Sequence, residues 1–394
     1  MIMPNSTKTT NNYSQVMQNL SYLCLIMSAE LISPSFAAER TRGQVVAEIA
    51  RPKSFPHRVW AACDFEAKQF EWFGPAARDD LPKYLGNTTA MGVSAPPYKK
   101  FAGIMTGINP TGVRMGKQNF LYLRYKLTGA TQATFQYFGM DSEDNNHVRV
   151  SGLTEGKWSE LTINFTRDAK RNDGTKGVPF QAGERMDDLK IFVGKANDDK
   201  QYDLRVDDVI FFSNDPDLPP EPEPFPRRVL FVAAFDSGFS PKYRDKMWPG
   251  TYEVVRPSQA PGGSWWGVAR AVPQEKTKGG KWIRMQIKPP RRVAETTKLR
   301  FRYLLRGATR MTVQAFDLTD RDNRHIHLAN CKENEWTTQY LDFTNDARRN
   351  DGSDSPFTAD HLIDDLFFFV KPDGKTEVEL FVDEVVIFDA GKSS

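Results

Sequence analysis

The chain has 394 residues, enough for two or three domains, and its 39% hydrophobic and 26% charged residues are typical of a globular protein. With 53 Lys and Arg against 50 Asp and Glu, the charge is nearly balanced, which gives no support for nucleic-acid binding or a polybasic membrane anchor. Three cysteines exclude a disulfide-dense scaffold, and frequent aromatic, Gly and Pro residues favour strands and turns over long helices.

The first feature along the chain is an interrupted apolar stretch over Leu20–Phe36. It is too short and too interrupted to span a bilayer, and Ser35-Phe36-Ala37 has the small-x-small pattern of a signal-peptidase site. We therefore predict a signal-peptide-like leader over residues 1–37 and a mature chain that is secreted, periplasmic or at the cell surface. No membrane span is expected in the mature chain.

The rest of the chain is a duplication. Residues 120–174 align without gaps on residues 298–352, with about 23 of 55 positions identical. The shared motifs include Arg-Tyr-x-Leu-x-Gly-Ala-Thr, beginning at Arg124 and Arg302, and Phe-Thr-x-Asp-Ala-x-Arg-Asn-Asp-Gly, beginning at Phe165 and Phe343. A Pro/Glu-rich segment separates the copies and predicts a stiff, extended spacer. The predicted domains are copy one over 38–214, the linker over 215–226 and copy two over 227–394.

Each copy consists of short alternating segments separated by turn residues, the pattern of an antiparallel sandwich. We predict an all-β fold of two tandem antiparallel β-sandwiches of jelly-roll type, with no helix of ordinary length. The continuous Phe367-Phe368-Phe369 run is predicted to lie in the buried interface between sheets. The predicted strands are Leu121–Leu127, Thr134–Phe138, His147–Val150, Trp158–Phe165, Leu189–Val193 and Tyr202–Phe212 in copy one, and Lys298–Leu305, Thr312–Phe316, His325–Leu328, Trp336–Phe343, Leu366–Val370 and Val378–Phe388 in copy two.

The order of the strand motifs carries a resemblance. An opening strand ends in Asp-Phe-Glu at Asp64, a Trp-led strand begins at Trp158, and the closing strand from Leu204 reads Leu-x-Val-Asp-Asp-Val-Ile-Phe. This order resembles the galactose-binding-like β-sandwich of many carbohydrate-binding modules in secreted polysaccharide-degrading systems, over nearly all of both copies. The resemblance implies an exported, non-catalytic protein that binds a polysaccharide or other glycan.

Acidic residues on the first and last strands of each copy form one set of candidate site residues. In sandwiches of this type these strands are neighbours, and such carboxylates, with backbone carbonyls, often hold a structural Ca²⁺. The alternative is that the carboxylates cap strands or pair with arginines, and no organic cofactor is expected. The candidate metal ligands are Asp64, Glu66 and Asp207 in copy one, and Asp236 and Asp383 in copy two.

Aromatic residues in loops and the Asn-Asp turns form a second set. Sugar rings present apolar C–H faces that stack on aromatic side chains, while amides and carboxylates read the hydroxyls. The alternatives are that the rings fill the core and that the turns are structural, since Asn and Gly favour tight turns. The candidate ligand-binding residues are Trp72, Tyr98, Phe101, Asn172, Asp173, Trp265, Trp266, Asn350 and Asp351.

A third set supports an enzyme hypothesis. Jelly-roll polysaccharide lyases use an Arg or Gln to neutralise a uronate and a His or Tyr to move its C5 proton. Motifs for zinc ligation, a nucleophile elbow, a P-loop and dinucleotide binding are absent from the sequence. A structural component that binds protein in an extracellular layer or secreted assembly is the remaining alternative. The candidate lyase residues, on strands predicted to be adjacent, are Arg124, Gln136 and His147, repeated as Arg302, Gln314 and His325.

Overall fold

The computed structural model describes residues 44–47, 51–66, 71–73, 77–84, 87–95, 102–107, 112–172, 181–193, 201–236, 252–256, 267–273, 280–351, 353, 357–374 and 377–391. The predicted leader over residues 1–37 lies outside these ranges. Among the residues that the structure describes, no helix is long and apolar enough to cross a membrane.

The described chain is built from strands, and nearly all neighbouring strands are antiparallel, which confirms the predicted all-β fold class. Copy one contains β1 (Gln44–Val46), β2 (Arg58–Cys63), β3 (Glu71–Phe73), β4 (Ala77–Tyr84), β5 (Asn87–Ala95), β6 (Ala102–Gly107), β7 (Val113–Arg114), β8 (Asn119–Thr128), β9 (Gln132–Gly139), β10 (Asp144–Ser151), β11 (Ser159–Asn164), β12 (Lys170–Arg171), β13 (Arg185–Val193) and β14 (Tyr202–Ser213). Copy two contains β15 (Arg228–Ala233), β16 (Tyr252–Val255), β17 (Val268–Pro273), β18 (Lys281–Arg292), β19 (Thr297–Arg306), β20 (Met311–Asp317), β21 (Asp322–Leu328), β22 (Thr337–Asp342), β23 (Arg348–Arg349), β24 (Leu362–Val370) and β25 (Glu379–Asp389).

Each copy pairs its strands into two sheets, which we call the outer sheet and the inner sheet. In copy one the outer sheet has the order β1-β10-β9-β13-β6-β3, and the inner sheet has the order β11-β8-β14-β5-β4 with β2 beside β14. In copy two the outer sheet is β18-β24-β20-β21-β23, and the inner sheet is β22-β19-β25-β17 with β15 beside β25. Strand β17 also pairs with β18, so it joins the two sheets of copy two.

A separate hydrophobic core fills the space between the two sheets of each copy. Strand β20 alternates buried and partly exposed residues along its whole length, so that Val313 and Ala315 point into the core and Gln314 points away. The core of copy one contains Phe135 and Leu123, from opposite sheets. This alternation gives the strands of the outer sheets one core-facing side and one side that is open.

A one-turn helix follows the Trp-led strand in each copy. Helix α1 spans Phe165–Asp168, and helix α2 spans Phe343–Asp346. The side chain of Asn164 accepts a hydrogen bond from the backbone N–H of Arg167, and Asp342 accepts the equivalent bond in copy two. The strands predicted to end at the Phe therefore end one residue earlier, at the capping residue. A single turn is too short to leave a helical periodicity in the sequence.

The Gly of the Gly-Ala-Thr motif lies where the chain passes from the inner to the outer sheet. Gly307 has φ +70°, and a Cβ at this position would overlap the backbone carbonyl oxygen of Glu377. We expect Gly307→Ala to lower the free energy of unfolding by about 1–3 kcal/mol, measured by urea denaturation. Gly374→Ala is the matched control, since a Cβ there meets open space; an equal loss in both variants would contradict the expectation.

The two inner sheets pack against each other. A third hydrophobic cluster lies between them and includes Tyr122 and Phe212 of copy one together with Val229 and Phe388 of copy two. The layers therefore follow one another as outer sheet, inner sheet, inner sheet and outer sheet. The open sides of the two outer sheets face away from each other at the two ends of this stack.

The Pro/Glu-rich linker is part of this packing rather than an open spacer. Phe225 is buried in the cluster between the inner sheets. The Glu223 carboxylate lies 2.9 Å from Lys298 Nζ, and Glu221 lies 2.8 Å from Arg300 Nη2. The linker thus packs against the two copies through one apolar side chain, Phe225, and through two acidic groups that pair with cations of copy two. Its proline content alone predicts only that it is stiff.

Candidate functional site

The open side of the copy-two outer sheet combines aromatic, amide and basic side chains. We call it the copy-two face. Cross-strand pairing aligns these side chains in rows that run across the sheet from β18 to β23. The central row reads Arg284, Phe367, Gln314, His325 and Arg348, and the two neighbouring rows contain Trp282, Phe369, Thr312 and His327, and Gln286, Asp365, Phe316 and Asn323.

Three aromatic rings form a platform on the copy-two face. The centroid of the Trp282 ring lies 6.2 Å from that of Phe367 and 6.0 Å from that of Phe369. All three side chains are half-buried, so their rings remain partly open to solvent. The Arg284 guanidinium lies 4.7 Å from the centroid of the Phe367 ring, and Lys371 Nζ lies 5.5 Å from the centroid of the Phe369 ring. An apolar surface bordered by cations is the result.

Hydrogen-bonding groups occupy the other half of the copy-two face. Gln314 Nε2 donates to Asn323 Oδ1 at 2.9 Å, and His327 Nδ1 lies 3.0 Å from the Thr312 hydroxyl oxygen. The His325 and His327 rings lie 4.4 Å apart. Partial burial, and then the neighbouring His325, lower the pKa of His327, which favours the neutral imidazole. The half-face therefore offers amide and imidazole groups as donors and acceptors.

The open side of the copy-one outer sheet, the copy-one face, has the same plan with a different central residue. Its main row reads Lys190, Gln136, His147 and Lys170 across β13, β9, β10 and β12. Gln136 Nε2 donates to Asn145 Oδ1 at 3.0 Å. Gln136 Oε1 accepts from Asn172 Nδ2 at 3.3 Å. His147 Nδ1 lies 2.5 Å from Asn172 Oδ1. These groups form one chain of hydrogen bonds across the face.

The two faces differ most on the strand at their centre. Copy one has Lys190 and copy two has Phe367 at the position that pairs with the shared glutamine. Lys190 Nζ forms a 3.0 Å ion pair with Asp188, whereas Phe367 contributes to the aromatic platform. The copy-one face is therefore more polar than the copy-two face, within the residues that the structure describes.

A pair of consecutive aspartates borders each face, at a β-bulge. The strand register shifts at Asp187 and Asp188 in copy one and at Asp364, next to Asp365, in copy two. Burial, and then the neighbouring carboxylate, raise the pKa of Asp187 and of Asp364. The bulge brings two carboxylates together at the edge of the row, where Asp188 pairs with Lys190 and the buried Asp365 pairs with Arg284.

The structure brings together part of the candidate lyase set and separates the rest. Gln136 and His147 lie side by side on the copy-one face, and Gln314 and His325 on the copy-two face. Arg124 lies in the inner sheet instead, so the predicted adjacency of all three residues is wrong. The Gly-Ala-Thr turn carries the chain from one sheet to the other, and strands that are consecutive in sequence are thus not neighbours.

Arg124 and Arg302 instead neutralise buried carboxylates of the closing strands. Arg124 Nη1 lies 2.9 Å from Asp208 and 3.2 Å from Asp207. Arg302 Nη1 lies 3.3 Å from Glu384. The guanidinium carbon of Arg124 lies 5.1 Å from the centroid of the Trp158 ring, and that of Arg302 lies 5.4 Å from the centroid of the Trp336 ring. These residues have a structural role in both copies.

Three of the carboxylates predicted to bind calcium, Asp64, Asp207 and Asp236, lie beside arginines. Asp64 pairs with Arg291 and lies 3.9 Å from Arg228, both of copy two. Asp236 pairs with Arg58 of copy one. Asp207 accepts hydrogen bonds from the backbone N–H of Asp208 and from Arg124, and Asp383 accepts from the N–H of Glu384. These contacts supply cations and backbone donors around the carboxylates. Calcium binding stays a prediction.

The two opening strands, β2 and β15, occupy equivalent positions in their copies. Phe65 and Phe235 both have positive φ, +55° and +56°, and both follow strands with the same pairing to the closing strand. Glu66 is therefore the structural counterpart of Asp236, and Asp64 is the counterpart of Ala234. Glu66 lines a cavity of about 500 Å³ near Arg228.

Several candidate ligand-binding residues lie outside the described residues. These are Tyr98, Phe101, Asp173, Trp265 and Trp266, and only the backbone of Trp72, in β3, is described. Asn172 belongs to the hydrogen-bonded chain of the copy-one face. Asn350 is exposed beside β21, and Asp351 forms a 2.9 Å ion pair with Arg349. Ligand contact by these residues stays a prediction.

None of the three residues of the aromatic platform is among the residues predicted from the sequence to bind a ligand. Phe367 and Phe369 are predicted to lie in the buried interface, but only Phe368 points into the core. A signal for the platform exists in β18, where Trp282, Arg284 and Gln286 alternate with buried residues. The gapless duplication begins after this strand, so a prediction based on the duplicated part alone does not include β18.

One further cluster has donor atoms suited to a metal ion. Carboxylate oxygens of Asp317 and Asp320 and a ring nitrogen of His361 lie within 4.8 Å of one another. Arg324 contacts both carboxylates, and Arg349 Nη1 lies 3.3 Å from Asp320. The arginines already balance the negative charge, so the cluster is explained as a partly buried ion-pair network.

No protein-family model matches the sequence, and no curated protein matches it. Among solved structures, the chain is similar to a tandem of two family 22 carbohydrate-binding modules from Paenibacillus barcinonensis, with 13% identity and a TM-score of 0.29 over 87% of this chain and 100% of that chain. It is also similar to a family 11 carbohydrate-binding module from Clostridium thermocellum in complex with a β-1,3-1,4-mixed-linked tetrasaccharide, with 12% identity and a TM-score of 0.30 over 42% of this chain and 98% of that chain.

A glycoside hydrolase domain of Endo-D from Streptococcus pneumoniae is similar as well, with 14% identity and a TM-score of 0.25 over 85% of this chain and 38% of that chain. The structures that the chain resembles thus include carbohydrate-binding modules, as the sequence resemblance predicted.

Proposed function

We propose that the protein binds a polysaccharide through the copy-one and copy-two faces and that it is a non-catalytic binding protein. The observation that carries this proposal is the row of aromatic, amide and imidazole side chains on the open side of the copy-two outer sheet. The proposal includes export, for which the support is the sequence of the leader alone.

The chemistry of the copy-two face matches that of a sugar polymer. A pyranose ring has an apolar C–H face and a rim of hydroxyls, so it needs a partly exposed aromatic surface beside hydrogen-bonding groups. Trp282, Phe367 and Phe369 supply the surface, while Gln314 and Asn323 supply the hydrogen-bonding groups. A protein partner would also accept apolar groups, but a row of amides and imidazoles bordered by carboxylates favours a ligand that is rich in hydroxyls.

The position of Arg124 supports a binding role over the lyase role of the candidate set. In lyase chemistry a cation neutralises the uronate beside the base that takes the proton. The arginine that the sequence offers for this purpose, Arg124, is buried in the inner sheet and pairs with Asp207 and Asp208. Gln136 and His147 remain on the face, where they form hydrogen bonds with Asn145 and Asn172.

The proposal is tested by titrating the protein calorimetrically with mixed-linkage β-glucan, xylan, polygalacturonate and carrageenan. We expect heat with at least one polymer, and we expect Trp282→Ala to weaken that binding about tenfold or more, because a buried aromatic side chain contributes about 1.5–3 kcal/mol. Thermal melting of the variant shows whether the half-buried ring also contributes to stability.

Leu218→Ala is the control for this experiment. Leu218 is 54% exposed and lies on the linker, away from both faces, so its removal should leave affinity and melting temperature unchanged. Absence of heat with all four polymers would contradict carbohydrate binding of these classes and favour the protein-interaction alternative. Unchanged affinity in Trp282→Ala would remove the copy-two face from the proposal.

A further inference from the structure

We propose that the protein bridges two separate polysaccharide strands, one on each face, instead of holding a single strand at two points. This inference rests on the proposed function, because it assigns an arrangement to the same two faces. A tandem of binding modules on a spacer is usually expected to gain avidity on one polymer. The order of the sheets in this chain argues for the other arrangement.

Each face is on the side of its outer sheet opposite the core. Core residues such as Phe135 and Leu189 place the copy-one core on one side of the outer sheet, and Gln136 and Lys190 lie on the other side. In copy two, Phe368 points into the core and Phe367 away from it. Each binding face is thus the side of an outer sheet that is turned away from its own core.

The hydrophobic interface between the copies lies between their inner sheets. Tyr122 and Phe212 lie on the open sides of the copy-one inner sheet strands, and they pack against Val229, Val386 and Phe388 of the copy-two inner sheet. The hydrophobic part of the interface is therefore formed by the inner sheets, and the Arg291 end of β18 adds one ion pair from the copy-two outer sheet. The aromatic and amide rows of the two outer sheets lie at opposite ends of a four-sheet stack. With sheets about 10 Å apart, the two faces are separated by roughly 30 Å and point in opposite directions.

Contacts across the interface fix the relation between the copies. Arg58 of copy one pairs with Asp236 of copy two, and Asp64 of copy one pairs with Arg291 of copy two. The linker adds buried Phe225 to the same interface. These contacts resist a rotation that would bring both faces to one side. A strand lying on one face would have to turn back around four sheets to reach the other.

The test is a sandwich capture assay with each of the four polymers named above. One sample of polymer is immobilised on beads, the protein is added, and a fluorescein-labelled sample of the same polymer is then supplied in solution. The variants are Phe367→Lys for the copy-two face and Gln136→Ala with His147→Ala for the copy-one face, with Leu218→Ala as the control. Binding of the protein to the beads is measured alongside capture of the label.

Bridging predicts that wild-type protein and Leu218→Ala capture the labelled polymer, and that either single-face variant loses capture. Retention of the copy-one variant on the beads should fall at most about twofold, since the copy-two face with its aromatic platform binds independently. Binding of one strand at two points would instead give a loss of about a hundredfold in bead affinity, because avidity disappears with either face.

The outcomes separate the two proposals. Bead binding without capture by the wild-type protein overturns bridging and leaves carbohydrate binding in place. Absence of bead binding with all four polymers overturns carbohydrate binding and bridging together. Melting curves identify a variant that fails to fold, and in that case Trp282→Ala replaces Phe367→Lys as the copy-two variant and Lys190→Ala replaces the double variant in copy one.

Discussion

Replacing Arg300 by Met is expected to lower the free energy of unfolding by about 3–5 kcal/mol, the cost of breaking a buried ion pair from one side. Arg300 is fully buried between the copies. Its guanidinium lies 3.0 Å from Glu384 and 2.8 Å from Glu221 of the linker, and it donates to the backbone carbonyl oxygen of His57 at 2.9 Å. One side chain thus joins copy one, the linker and copy two.

The size of this effect comes from the groups that would be left behind. Burial alone would lower the pKa of Arg300, but Glu384 and Glu221 outweigh it, so the pKa is raised and the guanidinium stays charged. Burial alone would raise the pKa of Glu384, but the positive charges of Arg300 and Arg302 outweigh the effect of burial, so the pKa is lowered. Met fills a similar volume but supplies no charge, so Glu384 and Glu221 would lose a cation in a region with little access to water.

The matched control is Arg306→Met on the same strand, β19. Arg306 forms a 2.6 Å ion pair with Glu379, but both side chains are about one-third exposed, at 35% and 26%. A solvent-exposed pair of this kind contributes about 0.2–1 kcal/mol, so this variant should unfold close to the wild type. Urea denaturation measures both variants. Equal losses for Arg300→Met and Arg306→Met would contradict a special role for the buried pair.

The strands that alternate clearly could be predicted from the sequence. The predicted Thr312–Phe316 lies within β20, Met311–Asp317, and the predicted Thr134–Phe138 lies within β9, Gln132–Gly139. The side of each strand also follows from the pattern, since Gln136 and His147 point away from the core as their alternation requires. The fold class and half of the binding row therefore follow from the alternation of residues along the strands.

The assignment of strands to sheets could not be predicted in the same way. Strands β8 and β9 are consecutive in sequence, but Gly129, with φ +85°, turns the chain into the other sheet. The sequence of this turn does not say which sheet follows, which is why Arg124 is wrongly predicted to lie beside Gln136. The partners of Asp64 and Asp236 could not be predicted from the sequence either, because those arginines belong to the other copy and come close only when the two copies pack together.

Exchanging the central residues of the two faces is expected to give the second large effect. Phe367→Lys should weaken the binding of a neutral polysaccharide at the copy-two face by about tenfold to a hundredfold, because the stacking ring contributes roughly 1.5–3 kcal/mol. Lys190→Phe should strengthen binding of the same polymer at the copy-one face, since it places a ring beside Gln136 in the geometry that copy two uses.

The duplication supplies the controls for this exchange, because each substitution introduces the residue that the other copy already carries at the equivalent position. Both variants are therefore expected to fold, and calorimetric titration with mixed-linkage β-glucan and xylan measures the affinity of each. A gain from Lys190→Phe together with a loss from Phe367→Lys would identify this one position as the source of the difference between the faces. Unchanged affinity in both variants would mean that the aromatic platform does not contact the polymer. The plan shared by the two rows would then be a consequence of sheet packing, since Gln136 and Gln314 keep the same amide partners whichever residue lies beside them.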